Sequence, residues 1–211
     1  MPMAARTVSL PRIKIGVGNV DVAFGGGMVE GSAILLSGES GAGKSTLALR
    51  LAEAIGPTAL YVGSEELREQ IEDRATRIGC GLGIPLYCSS DLDDILSYAP
   101  EYKAVIVDSL HALRGNLKEN AKRLVDFCRQ HRAVVLCIAR WVKDGTIEGA
   151  ASIPYDFDVD ITLEKNLAPD GSTSRSIRTG VKNRFGVAGC WPLYMNEHGW
   201  MDPPIVPEEA P

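Results

Sequence analysis

Residues 33–46 read Ala-Ile-Leu-Leu-Ser-Gly-Glu-Ser-Gly-Ala-Gly-Lys-Ser-Thr, and this stretch decides the fold. Ala33–Ser37 is a short apolar run of the kind a sheet buries on both faces. Lys44–Ile55 spaces Leu47, Leu51 and Ile55 four residues apart, one apolar stripe along a helix. Between them, Gly38-Glu39-Ser40-Gly41-Ala42-Gly43-Lys44-Ser45 satisfies Gly-x-x-x-x-Gly-Lys-Ser/Thr at every fixed position. Such a match arises by composition alone in roughly one unrelated chain of this length in a hundred, so the flanking strand and helix carry the inference. A strand ends, the chain curls on glycines, and successive N–H groups face one concavity. The helix that follows adds the positive end of its dipole. Gly38 through Ser45, with Thr46, are therefore expected to cradle the phosphates of ATP or ADP. Lys44 would reach the outer phosphates, and the Ser45 hydroxyl would ligate Mg²⁺.

Outward from this unit, apolar strands alternate with amphipathic helices. Thr58–Val62 reads as a strand. Glu65–Ile78 reads as a helix with Leu67, Ile71, Ala75 and Ile78 on one face and Gly79 as its stop. Leu86–Cys88 is a short strand and Asp91–Tyr98 a short helix. Lys103–Asp108 and Ala133–Ala139 are buried strands on either side of a helix over Leu117–His131. Val159–Glu164, Ser176–Lys182 and Trp191–Met195 then follow as strands with no helix between them. The expected fold is α/β: a P-loop domain with a mainly parallel central sheet, flanked by helices and extended by a C-terminal β-meander. Residues 1–16 read as a loosely held N-terminal segment, 17–201 as the domain, and 202–211, rich in Pro and Glu, as a disordered tail.

Composition narrows the function. The 211 residues carry 22 Lys+Arg against 27 Asp+Glu, a net charge of −5, which excludes a generally basic nucleic-acid coat but not a local groove. No apolar stretch approaches the ~20 residues of a membrane span, and the first residues lack the apolar middle of a signal peptide. Five cysteines, none spaced as Cys-x-x-Cys, argue against a zinc ribbon and a disulfide scaffold. A reduced, cytoplasmic protein that does not engage membranes is expected. His111, His131 and His198 are scattered, and no zinc is assigned.

Two acidic positions complete the chemistry. Asp108 closes an apolar strand, where a carboxylate beside the loop would orient the Mg²⁺ shell. Hydrolysis also needs a group to polarise the attacking water. The residue after Asp108 is Ser109, so the base must come from another strand. Glu65, just beyond Thr58–Val62, is the candidate, with Glu66 as a substitute. Both acids equally suit the start of a helix.

Further segments carry a resemblance. Gly25-Gly26-Gly27-Met28-Val29-Glu30-Gly31-Ser32 precedes the first core strand, and Tyr61-Val62-Gly63-Ser64-Glu65-Glu66 and Val107-Asp108-Ser109 follow the loop. Val181-Lys182-Asn183-Arg184-Phe185-Gly186 contains Lys-Asn-Arg-Phe-Gly. In this order they resemble the RecA-like ATPases, most closely the bacterial DNA-repair family RadA (Sms) and more distantly the KaiC-like ATPases. The likeness runs from about Ile15 to Trp200, and Lys-Asn-Arg-Phe-Gly is its most specific mark. It implies a homo-oligomeric ring or filament, hexameric in size, acting in DNA recombination or repair. It also implies catalytic Lys182 and Arg184 reaching the γ-phosphate of a neighbouring copy. Single-stranded DNA and other recombination or replication proteins are the implied partners. The family's zinc-binding cysteine motif and Lon-like domain are not found in this sequence. Its Gly-His at the end of a core strand is replaced by Ala139-Arg140, and the stretch after Asp108 is short.

Arg140 stands where the family has a polar sensor, so it could contact the γ-phosphate in cis, or simply be an exposed strand-end arginine. Residues 143–157 correspond to a second DNA loop by resemblance, though they hold few cations for phosphate contact. Trp141 suits base stacking or a subunit interface, and Arg175 and Arg178 suit a nucleic acid or water. Three rivals remain: a KaiC-like regulatory or assembly ATPase acting on proteins, a small-molecule kinase, and a degenerate structural subunit. The kinase lacks an arginine-rich lid, and the Lys44, Ser45, Asp108, Glu65 set argues against degeneracy.

Overall fold

The structure is a computed structural model that describes residues 9–80, 83–141, 147, 149, 151–167, 173–196 and 199–201. The tail at 202–211 and much of the loop at 143–157 lie outside the described residues. Arg12–Ile13 (β1) pairs antiparallel with Met28–Val29 (β2) across helix α1, Gly18–Ala23. The sequence reading left residues 12–13 in the loose N-terminal segment. Arg12 holds them, its guanidinium donating to the carbonyls of Phe24 and Gly27 at 3.4 and 3.3 Å. Asp21 on α1 accepts from the Ile15 and Gly16 amides at 2.8 and 3.2 Å and ties the segment down.

The α/β core follows in chain order: β3 (Ala33–Gly38), α2 (Lys44–Ile55), β4 (Ala59–Gly63), α3 (Arg68–Arg77), β5 (Leu86–Cys88), α4 (Leu92–Tyr98), β6 (Ala104–Asp108), α5 (Leu117–His131) and β7 (Val134–Ile138). The meander is β8 (Val159–Leu167), β9 (Thr173–Asn183), β10 (Cys190–Asn196) and β11 (Gly199–Met201). Among the described residues these strands form a nine-stranded sheet in the order β11-β10-β9-β8-β3-β7-β6-β4-β5. The run from β8 to β5 is parallel; β9, β10 and β11 add on antiparallel.

Helices cover both faces of the parallel part, which is why β3, β4, β6 and β7 are buried throughout and mostly apolar. Ile34 and Leu36 of β3 pack with Leu47 and Leu51 of α2 and Ile71 of α3 on one side. Ala33 and Leu35 pack with Leu124 and Cys128 of α5 and Ile95 of α4 on the other. Helix starts follow local chemistry. Asp91 caps α4 by accepting from the Asp93 amide at 3.0 Å, and Asn116 caps α5 by accepting from the Lys118 and Glu119 amides at 3.0 Å. α3 begins at Arg68 rather than at Glu65, because residues 64–66 are drawn off to other partners described below.

Candidate functional site

The phosphate loop leaves the carboxyl end of β3. Gly38, Gly41 and Gly43 take φ of 140°, 76° and 98°, the region glycine adopts without penalty. Gly43 is also pressed against the meander. A Cβ there would lie 2.6 Å from the Trp200 ring, whose Nε1–H donates to the Gly43 carbonyl at 3.2 Å. Lys44 is buried, and its ammonium donates to the carbonyls of Gly38 and Glu39 at 2.8 and 2.7 Å. Burial lowers its pKa, and the Asp108 carboxylate opposes that shift.

β7 lies between β3 and β6, so Asp108 ends a strand one removed from the loop strand. It still meets the loop unit, because Ser45 at the start of α2 hydrogen-bonds its carboxylate. The fully buried Tyr61 on β4 donates to Asp108 Oδ2 at 2.6 Å. Burial raises the Asp108 pKa, and the Tyr61 and Ser45 hydrogen bonds oppose it. These groups are hard oxygen donors of the kind that suit Mg²⁺.

Glu65 follows β4, where the Ser64 amide donates to the Asp108 carbonyl at 2.8 Å and holds the turn against β6. Glu65 Oε1 is paired with Arg140, and its Oε2 accepts from the Ser109 hydroxyl at 3.1 Å. The Arg140 hydrogen bond is the first cause of a lowered Glu65 pKa. Glu66 takes a different partner, accepting two hydrogen bonds from Arg74 at 2.5 and 2.8 Å.

Ser40, Gly41, Gly43, Lys44, Ser45, Thr46, Glu65, Asp108, Ser109 and Arg140 line one cleft of about 560 Å³. Trp141, Met195 and Arg77 line it too. The sequence reading missed Met195 and Arg77, whose places depend on long-range packing. Glu39 and Ala42 belong to the same loop, with Ala42 wholly buried beneath it. The cleft joins loop N–H groups, a helix start, four cations (Lys44, Arg74, Arg77 and Arg140) and three carboxylates (Glu65, Glu66 and Asp108), an arrangement fit for a polyanion with a hard cation.

Lys182 and Arg184 lie elsewhere. Asn183 pairs with Val159 and Gly38 with Leu163, which are four residues apart on β8; at ~3.3 Å per residue the two sites are about 13 Å apart along the sheet. Lys182 Nζ donates to the Tyr155 carbonyl at 2.8 Å, and Arg184 pairs with Asp158 at 3.4 Å. The second Asp158 oxygen accepts from the Ala33 amide at 3.1 Å, at the amino end of β3. Phe185 and Gly186 touch the glycine turn before the core, where a Cβ on Gly25 would lie 2.2 Å from the Phe185 carbonyl. Arg178 is paired with Glu164.

No described helix is long and apolar enough to cross a membrane, and the described residues include no cluster of three or more His, Cys, Asp or Glu suited to a metal ion. A family profile described as "ATPase: KaiC" matches residues 13–84. The DNA repair protein RadA of Treponema pallidum is 34% identical over 199 residues, which are 87% of this chain and 42% of that protein. RadA of Mycolicibacterium smegmatis is 35% identical over 205 residues, 86% of this chain and 43% of that protein. The chain thus spans about two-fifths of the length of these relatives. Among solved structures, a KaiC-like protein of Pyrococcus horikoshii OT3 superposes with a TM-score of 0.78 at 19% identity, covering 92% of this chain and 99% of that one. The resemblance read from the motifs is thereby borne out: the chain has the RecA-like P-loop ATPase fold in its KaiC-like form, and RadA proteins are its homologues over most of its length.

Proposed function

We propose that the chain is a RecA-like ATPase that hydrolyses ATP to ADP and phosphate in a cytoplasmic ring or filament, stimulated by single-stranded DNA and serving recombination or repair. The observation that carries this is the meeting of the phosphate loop, Asp108, Glu65 and Arg140 in one cleft, with Lys182 and Arg184 at the opposite end of the sheet. Loop amides and Lys44 bind and orient the phosphates. Ser45 and Asp108 would hold Mg²⁺, which when bound neutralises charge on the β- and γ-phosphates. Glu65 takes the proton of the attacking water. Lys182 and Arg184 cannot serve their own cleft across the sheet, so they act on the next copy, in a head-to-tail assembly that repeats one interface. There they stabilise charge building on the transferred phosphoryl group.

A second reading keeps the chemistry and changes the target: a KaiC-like regulatory or assembly ATPase acting on proteins. The acidic balance of 22 Lys+Arg to 27 Asp+Glu favours it. ATP turnover and light scattering, each with and without a non-hydrolysable ATP analogue and single-stranded DNA, separate the two. The first reading expects larger particles with the analogue and faster turnover with DNA, the stimulation fading as salt rises. Lys44→Ala should weaken nucleotide binding at least about 100-fold, having lost the charged donor to the phosphates. Oligomers whose turnover ignores DNA would select the second reading, and no affinity for ATP or ADP with magnesium would end both.

A further inference from the structure

Two carboxylates follow β4, and they are held in opposite ways. Glu66 meets Arg74 through both oxygens, and the two side chains are only 33% and 19% exposed. That pair also lines the cleft, but it is the less exposed of the two and ties α3 to the end of β4. Glu65 and Arg140 are 43% and 48% exposed and both line the cleft beside Lys44. Arg140 lies two residues beyond β7, the strand between those carrying the loop and Asp108. Its backbone is anchored, since the Arg140 amide donates to His111 Nδ1 at 3.3 Å, while its side chain reaches across the cleft to Glu65.

Both Glu65 oxygens are thereby engaged, one by the guanidinium and one by the Ser109 hydroxyl. A carboxylate so occupied is poorly placed to take a proton from water, and a guanidinium facing a carboxylate has its fork turned away from phosphate. One cation therefore serves two rival anions. A terminal phosphate offers more charge and a better match to a guanidinium fork than one carboxylate does.

Building on the nucleotide reading of this cleft, we propose that Arg140 is an exchangeable clamp: it holds Glu65 when no γ-phosphate is present and moves to the γ-phosphate when one arrives, freeing Glu65 to face the attacking water. Arg140 is then a positioning residue for Glu65 as well as a phosphate ligand, and base and phosphate become ready together. ADP, which lacks the γ-phosphate, leaves the clamp closed.

Calorimetric titration of the full chain with a non-hydrolysable ATP analogue and with ADP tests this, using the unaltered protein, Glu65→Gln, Arg140→Gln and the double variant. Freeing Arg140 by Glu65→Gln should raise the preference for triphosphate over diphosphate by roughly 3- to 10-fold, and Arg140→Gln should lower it roughly tenfold. In the Arg140→Gln background, Glu65→Gln should add nothing, because the competition is already gone. The same Glu65→Gln gain in both backgrounds would overturn the clamp while leaving the nucleotide reading intact. Absence of any nucleotide binding by the unaltered protein would overturn both. Arg140→Lys, which keeps charge but not the fork, provides a second readout: it should lose part of the preference, and full retention would argue against the exchange.

Discussion

The two ends of the parallel sheet are built to different plans. At the carboxyl end, six separate segments line one cleft, and several side chains in or beneath it bond to one another: Ser45 and Tyr61 to Asp108, Arg140 and Ser109 to Glu65. At the amino end, Lys182 and Arg184 bond outward, to the Tyr155 carbonyl and to Asp158. The first end is a pocket closed on itself. The second is a cationic edge that also exposes apolar Val181 and Tyr155, at 57% and 64%. A group that works on phosphate from such an edge does so on phosphate held by someone else.

The sharpest way to break this contrast is Lys182→Ala. Turnover in the assembled state should fall by about 10²–10³-fold, the cost of one lost donor to developing charge, with nucleotide affinity nearly unchanged. Mixing this variant with Glu65→Gln should restore part of the rate, since some mixed interfaces pair an intact cleft with an intact lysine. No recovery on mixing would place both residues in the service of a single copy. At the carboxyl end, Trp200→Ala should destabilise the fold by about 3–5 kcal/mol, as for other large aromatic truncations, measured by denaturant midpoint. A loss under about 1 kcal/mol would mean that the meander does not brace the loop. Tyr61→Phe keeps the ring and removes only the donor to buried Asp108, so a smaller loss of about 1–2 kcal/mol is expected in the same assay. No change would show that the Asp108 oxygen finds a replacement partner.

Legibility from sequence followed the range of the interactions. The loop, α2 and the apolar strands were readable because short-range pattern sets them, and α2 and α5 run over the residues that the spacing predicts. The α3 start differs from the sequence expectation because Glu65 and Glu66 suit a first helical turn, whereas Arg140, 75 residues on, and Arg74, eight residues on, engage their carboxylates in the folded chain. β1 and β2 carry no period of their own and exist through Arg12 and Asp21. In the site, the Asp108 and Glu65 positions followed from strand ends, but the Tyr61 hydroxyl and the Glu65–Arg140 pairing needed the sheet order to bring β4, β6 and β7 together. The Lys-Asn-Arg-Phe-Gly segment stands out as a motif, yet its contact with the glycine turn at Gly25 depends on tertiary packing.

One contact makes the loop visible to light. The Trp200 indole lies against Gly43 of the loop that would wrap a nucleotide, and its N–H donates to the Gly43 carbonyl. The chain has three tryptophans, and of these only Trp200 is buried, the other two being partly exposed. With Trp141 and Trp191 replaced by phenylalanine, the emission of a single side chain would follow the cradle as it fills and empties, with no dye attached.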